Sequence, residues 1–218
     1  MNWIEFDGSS EKIPVGKILC LGRNYSEHAR EMHAETPEAP VVFLKPSTAL
    51  LHEGGKIVIP SFSHDVHHEV ELVVAIGKTG SHIAVDRAME YVSGYAVGLD
   101  MTLRDVQSEA KKKSLPWSVA KGFDTSAPIS RFVSANKIRD PHNLDMTLRV
   151  NGSVRQHSNT SKMIFKIDFT ISYLSSIFTL EEGDLIFTGT PEGVGGVVAG
   201  DLLEAELESV GWLRVSMQ

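Results

Sequence analysis

The stretch His67-His68-Glu69-Val70-Glu71-Leu72, running into the apolar Val73-Val74-Ala75-Ile76, constrains this chain more than any other. On an extended strand successive side chains face opposite ways, so Glu69 and Glu71 project to the same side. Two carboxylates on one face of so apolar a strand repel each other and lose hydration on burial. A bound cation removes both penalties. The ordinary alternative pairs one glutamate with Lys or Arg and leaves the other solvated at a sheet edge. A second acidic feature favours the cation: Asp100 closes the apolar run 94–99, which reads as a buried strand whose end can present a ligand. Glu69, Glu71 and Asp100, with no clustered cysteines, make a hard oxygen donor set suited to Mg²⁺, Mn²⁺ or Ca²⁺ rather than to Zn²⁺ or copper.

Nothing in the middle of the 218 residues reads as a linker, so the expectation is a single domain over 1–218 with residues 1–16 as a short N-terminal arm or hairpin. With a net charge of -7 and Lys111-Lys112-Lys113 as the only basic run, nucleic acid is not an expected partner. That triplet reads as a solvated turn or helix face. The single cysteine, Cys20, excludes an internal disulfide and fits a reducing compartment. Ile18, Leu19 and Leu21 around it predict a buried, inert thiol. The first residues have neither a basic nor an apolar signal region, and no apolar run approaches a membrane span. The expectation is therefore a cytoplasmic protein with no membrane partner.

Short strand patterns dominate: 17–21, 41–44, 56–59, the acidic strand, 94–99, 145–150, 185–188, and two closing strands within 202–217. Asn151-Gly152 predicts a two-residue hairpin. Helices are expected over 23–32 with Asn24 or Ser26 as cap, and over 86–92, 102–113 and 163–177. The fold class is α+β and mainly β.

His68-Glu69-Val70-Glu71-Leu72 begins like a helical zinc-protease motif, but Leu72 stands where its second histidine belongs. The run Gly189-Thr190-Pro191-Glu192-Gly193-Val194-Gly195-Gly196 does not complete a dinucleotide fingerprint. It reads as a turn-rich loop whose backbone N–H groups can approach a carboxylate. His28 and Glu31, three apart on a helix, are within hydrogen-bonding reach of each other, and such a pair either decorates a surface or forms a general base. Lys121, after Trp117-Ser118-Val119-Ala120, either snorkels to water or contacts an anion. Arg104 and Gln107 would serve the same anion or form a solvated helix face.

Gly22-Arg23-Asn24-Tyr25, Phe43-Leu44-Lys45-Pro46, His67 to Leu72, Gly98-Leu99-Asp100-Met101-Thr102, Arg104-Asp105-Val106-Gln107, Lys121-Gly122-Phe123-Asp124 and Thr188 to Gly195 together resemble the fumarylacetoacetate hydrolase family. Nearly the whole chain is covered in order, and the likeness is greatest to the short, acylpyruvase-like members. The resemblance implies a mixed β-roll of the family's C-terminal-domain type, a homodimer, and Mg²⁺ or Mn²⁺ on Glu69, Glu71 and Asp100. It further implies His28 and Glu31 as a water-activating dyad on a lid, Lys121 as a catalytic cation, and Arg23, Arg104, Gln107, Gly189 and Thr190 around the substrate.

The expected activity is divalent-metal-dependent hydrolysis of the C–C bond of an acylpyruvate or related 2,4-dioxo acid. Oxaloacetate decarboxylation, oxaloacetate keto-enol tautomerisation, and isomerisation or decarboxylation of 2-oxo acids from aromatic degradation are the alternatives at the same centre. A Schiff-base aldolase through Lys121 and a non-catalytic 2-oxo acid binding protein are the readings of other kinds.

Overall fold

Val70–Ile76 is buried along its whole length and Val92–Leu99 almost so. Strands apolar on both faces take the centre of a sheet, and these two pair antiparallel in the middle of the largest one. The structure, a computed structural model, describes residues 2–31 and 35–218. In it, the eight-stranded sheet runs Val41–Lys45, Ile18–Gly22, Leu185–Phe187, Val70–Ile76, Val92–Leu99, Ala127–Ile129, Leu50–His52, with Val133–Ser134 also paired to Val92–Leu99. It curls into a half-barrel.

The two faces bury different company. Leu72, Val74, Tyr95 and Val97 join the larger apolar cluster, which includes Met146, Leu148, Leu203 and Leu213 of a second, five-stranded sheet. That sheet runs Ser153–Asn159, Asp145–Val150, Leu202–Leu207, Gly211–Met217, Lys56–Ile57. Val73, Ala75 and Ala96 instead meet Cys20, Ile129 and Phe187 in a smaller cluster on the opposite face. Packing there is tight enough that a Cβ on Gly98 would lie 2.6 Å from Val73 and 2.9 Å from Phe187. Cys20 is fully buried, as its neighbours predict.

A three-stranded sheet, Thr102–Leu103, Val66–His68, Gly195–Val197, leads the acidic segment into the large sheet. At the N-terminus Trp3–Ile4 pairs with Ile13–Pro14, the expected hairpin arm. Asn151 and Gly152 take φ values of 50° and 78°, the pair of left-handed residues that a two-residue hairpin of this twist requires.

Four α-helices are described: α1 (Ser26–Glu31), α2 (Arg104–Lys112), α3 (Ser118–Lys121) and α4 (Ile167–Ile177). Among the expected helices, that over 23–32 starts only at Ser26, and its end at Met32 lies outside the described residues. Asn24 does not cap it; its amide donates to Phe165 O and Thr188 O and its oxygen accepts from Phe165 N, tying three segments together. The helix expected over 86–92 is a 3₁₀ stretch, Val85–Tyr91. The one expected over 163–177 begins at Ile167, because Met163 forms a bridge with Tyr25 instead. The strand expected over 56–59 keeps only Lys56–Ile57. Helix α3 has no counterpart among the expected elements, and the glycine loop gives up its last residues to the strand Gly195–Val197.

Candidate active site

Glu69 occupies a one-residue break between Val66–His68 and Val70–Ile76 rather than the middle of a strand. Its carbonyl still accepts from Asp100 N at 2.8 Å, and Glu71 pairs with Gly98, so the parity of the extended chain is kept. Oxygens of Glu69, Glu71 and Asp100 lie within 4.8 Å of one another, and all three residues are buried. The alternative with one solvated glutamate is thereby excluded.

Three cations face these carboxylates. Lys121 Nζ is 2.8 Å from Glu69 Oε2 and 2.6 Å from Asp100 Oδ2. Arg104 donates to Glu69 Oε1 at 2.5 Å and to Gln107 Oε1 at 2.7 Å. Lys45 Nζ lies 2.7 Å from Asp100 Oδ1, near enough for an ion pair though not aligned as a hydrogen bond. Lys45 also donates to Ser126 O at 3.1 Å, Ser126 Oγ at 3.0 Å, Met101 O at 3.3 Å and to Lys121 O. It thus ties the edge strand Val41–Lys45 to the residue that begins the approach to Ala127–Ile129, across the curl of the sheet. Arg104 and Gln107 are buried, not a solvated face, and Arg104 is engaged by Glu69. Lys121 is buried in ion pairs and does not snorkel.

Glu71 is treated differently. It accepts from Gly189 N at 2.7 Å, but among the described residues no Lys, Arg or His lies within ion-pair distance of it. Burial, then the charges of Asp100 and Glu69, push its carboxyl well above the ordinary range. Burial alone would do the same to Glu69, yet Lys121 and Arg104 hold that carboxyl well below it. A buried carboxylate with two like charges beside it and no ammonium of its own fits a divalent cation. Glu69, Glu71 and Asp100 are therefore the residues that would hold Mg²⁺ or Mn²⁺.

Above this floor opens a cavity of about 320 Å³ lined by Arg23, His28, Glu69, Arg104, Gln107, Lys121 and Thr190, with Leu21, Gly22, Phe43, Lys111 and Trp117 completing the wall. His28 is buried on α1, and its Nδ1 meets Glu31 Oε2 at 3.3 Å. Gly193 N donates back to both Glu31 oxygens at 3.1 and 3.2 Å, so the glycine loop holds the carboxylate that orients the imidazole. The loop passes so near the second sheet that a Cβ on Gly193 would sit 2.3 Å from Arg155 O. Every residue expected around the substrate is thus either on the cavity wall or, like Gly189 and Glu31, directly behind it.

Some contributors escape a reading of the sequence. Gln156, buried in Ser153–Asn159, accepts from Val70 N at 3.1 Å and donates to Pro191 O at 2.9 Å, which fixes the orientation of its amide. Its Nε2 also donates to Thr190 Oγ1 at 2.8 Å, and its oxygen meets His68 Nδ1 at 3.0 Å. Thr190 therefore accepts from Gln156, and its own hydroxyl hydrogen remains available to the cavity. Lys111 is exposed like Lys112 and Lys113, as the triplet predicts, but it also lines the cavity. Lys45 stands in the Phe43-Leu44-Lys45-Pro46 motif of the resemblance, which gives it no role; nothing local marks Gln156.

The match to known proteins follows the same frame. The family model described as Fumarylacetoacetate (FAA) hydrolase C-terminal matches residues 17–218. The chain belongs to the fumarylacetoacetate hydrolase family. Family relatives include the bovine oxaloacetate tautomerase FAHD1, mitochondrial, 53% identical over 193 residues that make up 88% of this chain and 87% of that protein. Another is the oxaloacetate decarboxylase, mitochondrial, of Dictyostelium discoideum, 52% identical over 86% of this chain and 87% of its own. Among solved structures of the family, fumarylpyruvate hydrolase from Pseudomonas aeruginosa in complex with Mn²⁺ and pyruvate is 41% identical, with a TM-score of 0.96 over 99% of this chain and 94% of that one. These relatives are enzymes of 2-oxo acid chemistry, as the sequence expectation has it.

Proposed function

We propose that this protein is a divalent-metal-dependent enzyme of short 2-oxo acids, and that it cleaves the C–C bond of acylpyruvates by hydrolysis. The observation that carries the proposal is a buried trio of carboxylates, one of them without a cationic partner among the described residues, beside a cavity lined by His28 with Glu31 behind it. A cation on Glu69, Glu71 and Asp100 would supply positive charge where the 2-oxo acid develops negative charge. His28, oriented by Glu31, takes a proton from the water that attacks the distal carbonyl; the C–C bond then breaks and pyruvate leaves as the enol form. Gln107 and the Thr190 hydroxyl orient the 2-oxocarboxylate.

Lys121 acts as a fixed positive charge. Burial alone would lower its pKa, but Asp100 and Glu69 outweigh burial and raise it, so the amine stays protonated and is a poor Schiff-base nucleophile. A second reading, oxaloacetate tautomerisation or decarboxylation, uses the same floor without an attacking water. The identity to the oxaloacetate-acting relatives favours it. No described helix is long and apolar enough to cross a membrane. A homodimer and a cytoplasmic location complete the proposal, although the FAHD1 relatives are named as mitochondrial.

The test is pyruvate release from acetylpyruvate in EDTA and after Mg²⁺ or Mn²⁺ is restored. Metal-dependent release supports the hydrolase. Metal-dependent loss or tautomerisation of oxaloacetate without pyruvate release from acetylpyruvate would replace it with the second reading. Turnover of neither would overturn both.

A further inference from the structure

The three lysines at the end of α2 are not equivalent. Lys112 and Lys113 are engaged by Glu109 at 3.0 and 3.7 Å, a surface arrangement that contributes little. Lys111 has no carboxylate within 4.0 Å among the described residues; it lines the cavity, with Nζ 5.3 Å from the centre of the Trp117 ring. Arg23 lines the same cavity, likewise without a carboxylate partner among the described residues. It holds a φ of 59°, a left-handed backbone uncommon for a residue with a side chain and kept where surroundings enforce it.

We propose that Lys111, together with Arg23, forms a second anion subsite on the wall of the cavity, which selects 2-oxo acids carrying a distal carboxylate over those ending in an uncharged acyl group. The subsite deepens the function proposed above and rests on that reading for the position of the 2-oxo end. Charge balance is its main support. Glu69, Glu71 and Asp100 are matched in number by Lys45, Lys121 and Arg104, so a divalent cation, Lys111 and Arg23 all add positive charge that no protein carboxylate on the wall offsets. A substrate with one carboxylate leaves most of that excess; a dicarboxylate offsets twice as much of it. Partial burial of the otherwise exposed Lys111, and then the charges of Arg104 and Arg23, hold its ammonium below its usual pKa. Phe43 and Trp117, their rings 5.9 Å apart, give an apolar wall to the cavity that holds both cations.

The test compares two non-reacting probes on the Mg²⁺-loaded protein by calorimetry: malate, and lactate, which lacks the distal carboxylate. Wild type should bind malate more tightly than lactate. Lys111→Met should weaken malate about tenfold, the scale of one charge-assisted contact, and leave lactate unchanged. Lys111→Arg should restore malate binding, and Lys112→Met should change neither probe. In turnover, Lys111→Met should raise KM for oxaloacetate and leave KM for acetylpyruvate as it was. Equal affinity of wild type for the two probes would overturn the subsite, as would equal losses for both probes in Lys111→Met or the same loss in Lys112→Met. Failure of the functional reading looks different: wild type would turn over neither acetylpyruvate nor oxaloacetate while still preferring malate through Lys111.

Discussion

The floor of the cavity and the helix above it are built to different standards. Glu69, Glu71 and Asp100 stand on the two central strands of the large sheet or at their ends, and Lys45, Lys121, Arg104 and Gly189 N fix their oxygens from several directions. Among the described residues α1 covers Ser26–Glu31, and its contact within the candidate site is one His28–Glu31 approach of 3.3 Å, steadied by Gly193 N. The floor is over-determined, whereas among the described residues the site-facing side of the helix is held by few bonds. Under the proposed function, such a division would let one carboxylate floor serve several enolate chemistries, with His28 and Glu31 deciding whether a water is activated.

The sharpest way to break this comparison is Lys45→Met. It would leave Asp100 buried with a carboxylate less well compensated, remove the tie across the curl, and cost roughly 3–5 kcal/mol of stability. A thermal melt checks it, and wild-type stability would show that the floor is not held as described. His28→Ala, by contrast, should leave the melting temperature and Mn²⁺ affinity unchanged while lowering acylpyruvate hydrolysis by about 10²- to 10⁴-fold. If oxaloacetate turnover falls equally, floor and helix are not separable in function.

Glu71→Gln sharpens the comparison within the floor. The carboxyl's raised pKa means its charge is unfavourable in the folded, metal-free protein, so removing that charge should raise the melting temperature in EDTA by a few degrees. The same change should abolish the stabilisation that added Mn²⁺ gives the wild type. The smallest effect on turnover is expected of Gln156→Leu, whose larger cost falls on stability because Val70 N and Pro191 O also lose their partner. Thr190 would lose the donor that sets its hydroxyl, and KM for the 2-oxo acid should rise by roughly fivefold or more while kcat changes less, a loss of about 1 kcal/mol for one neutral hydrogen bond. An unchanged KM would remove Thr190 from the binding wall.

These contrasts also separate what the sequence makes legible from what it does not. The Glu69/Glu71 spacing and the His28/Glu31 spacing are local, and local geometry survives folding even though Glu69 falls in a break between strands. The hairpin at Asn151-Gly152 is legible for the same reason. Lys45 and Gln156 are not, because their partners lie far along the chain: Ser126 is 81 residues from Lys45, and Val70 is 86 residues from Gln156. Lys111 is hidden by its neighbours, since only the path from α2 through Trp117 distinguishes it from Lys112 and Lys113. The 3₁₀ stretch Val85–Tyr91 shows a further limit: its composition suits a helix, but the chain must return at once to Val92–Leu99, so no α-helix develops.

The register of the central hairpin carries a consequence for how such a chain can change length. Glu71 opposes Gly98, and Asp100 follows two residues later on the same face. A single residue inserted within Val70–Ile76 after Glu71, or within Val92–Leu99, would either be extruded as a bulge or turn a carboxylate from the Cys20–Phe187 side to the Leu72–Tyr95 side. Residues 77–91 joining the strands have no such parity to keep. Length variation among family members should therefore collect in that connection, with the distance along the chain from Glu71 to Asp100 free to vary while the residues flanking each carboxylate keep their count.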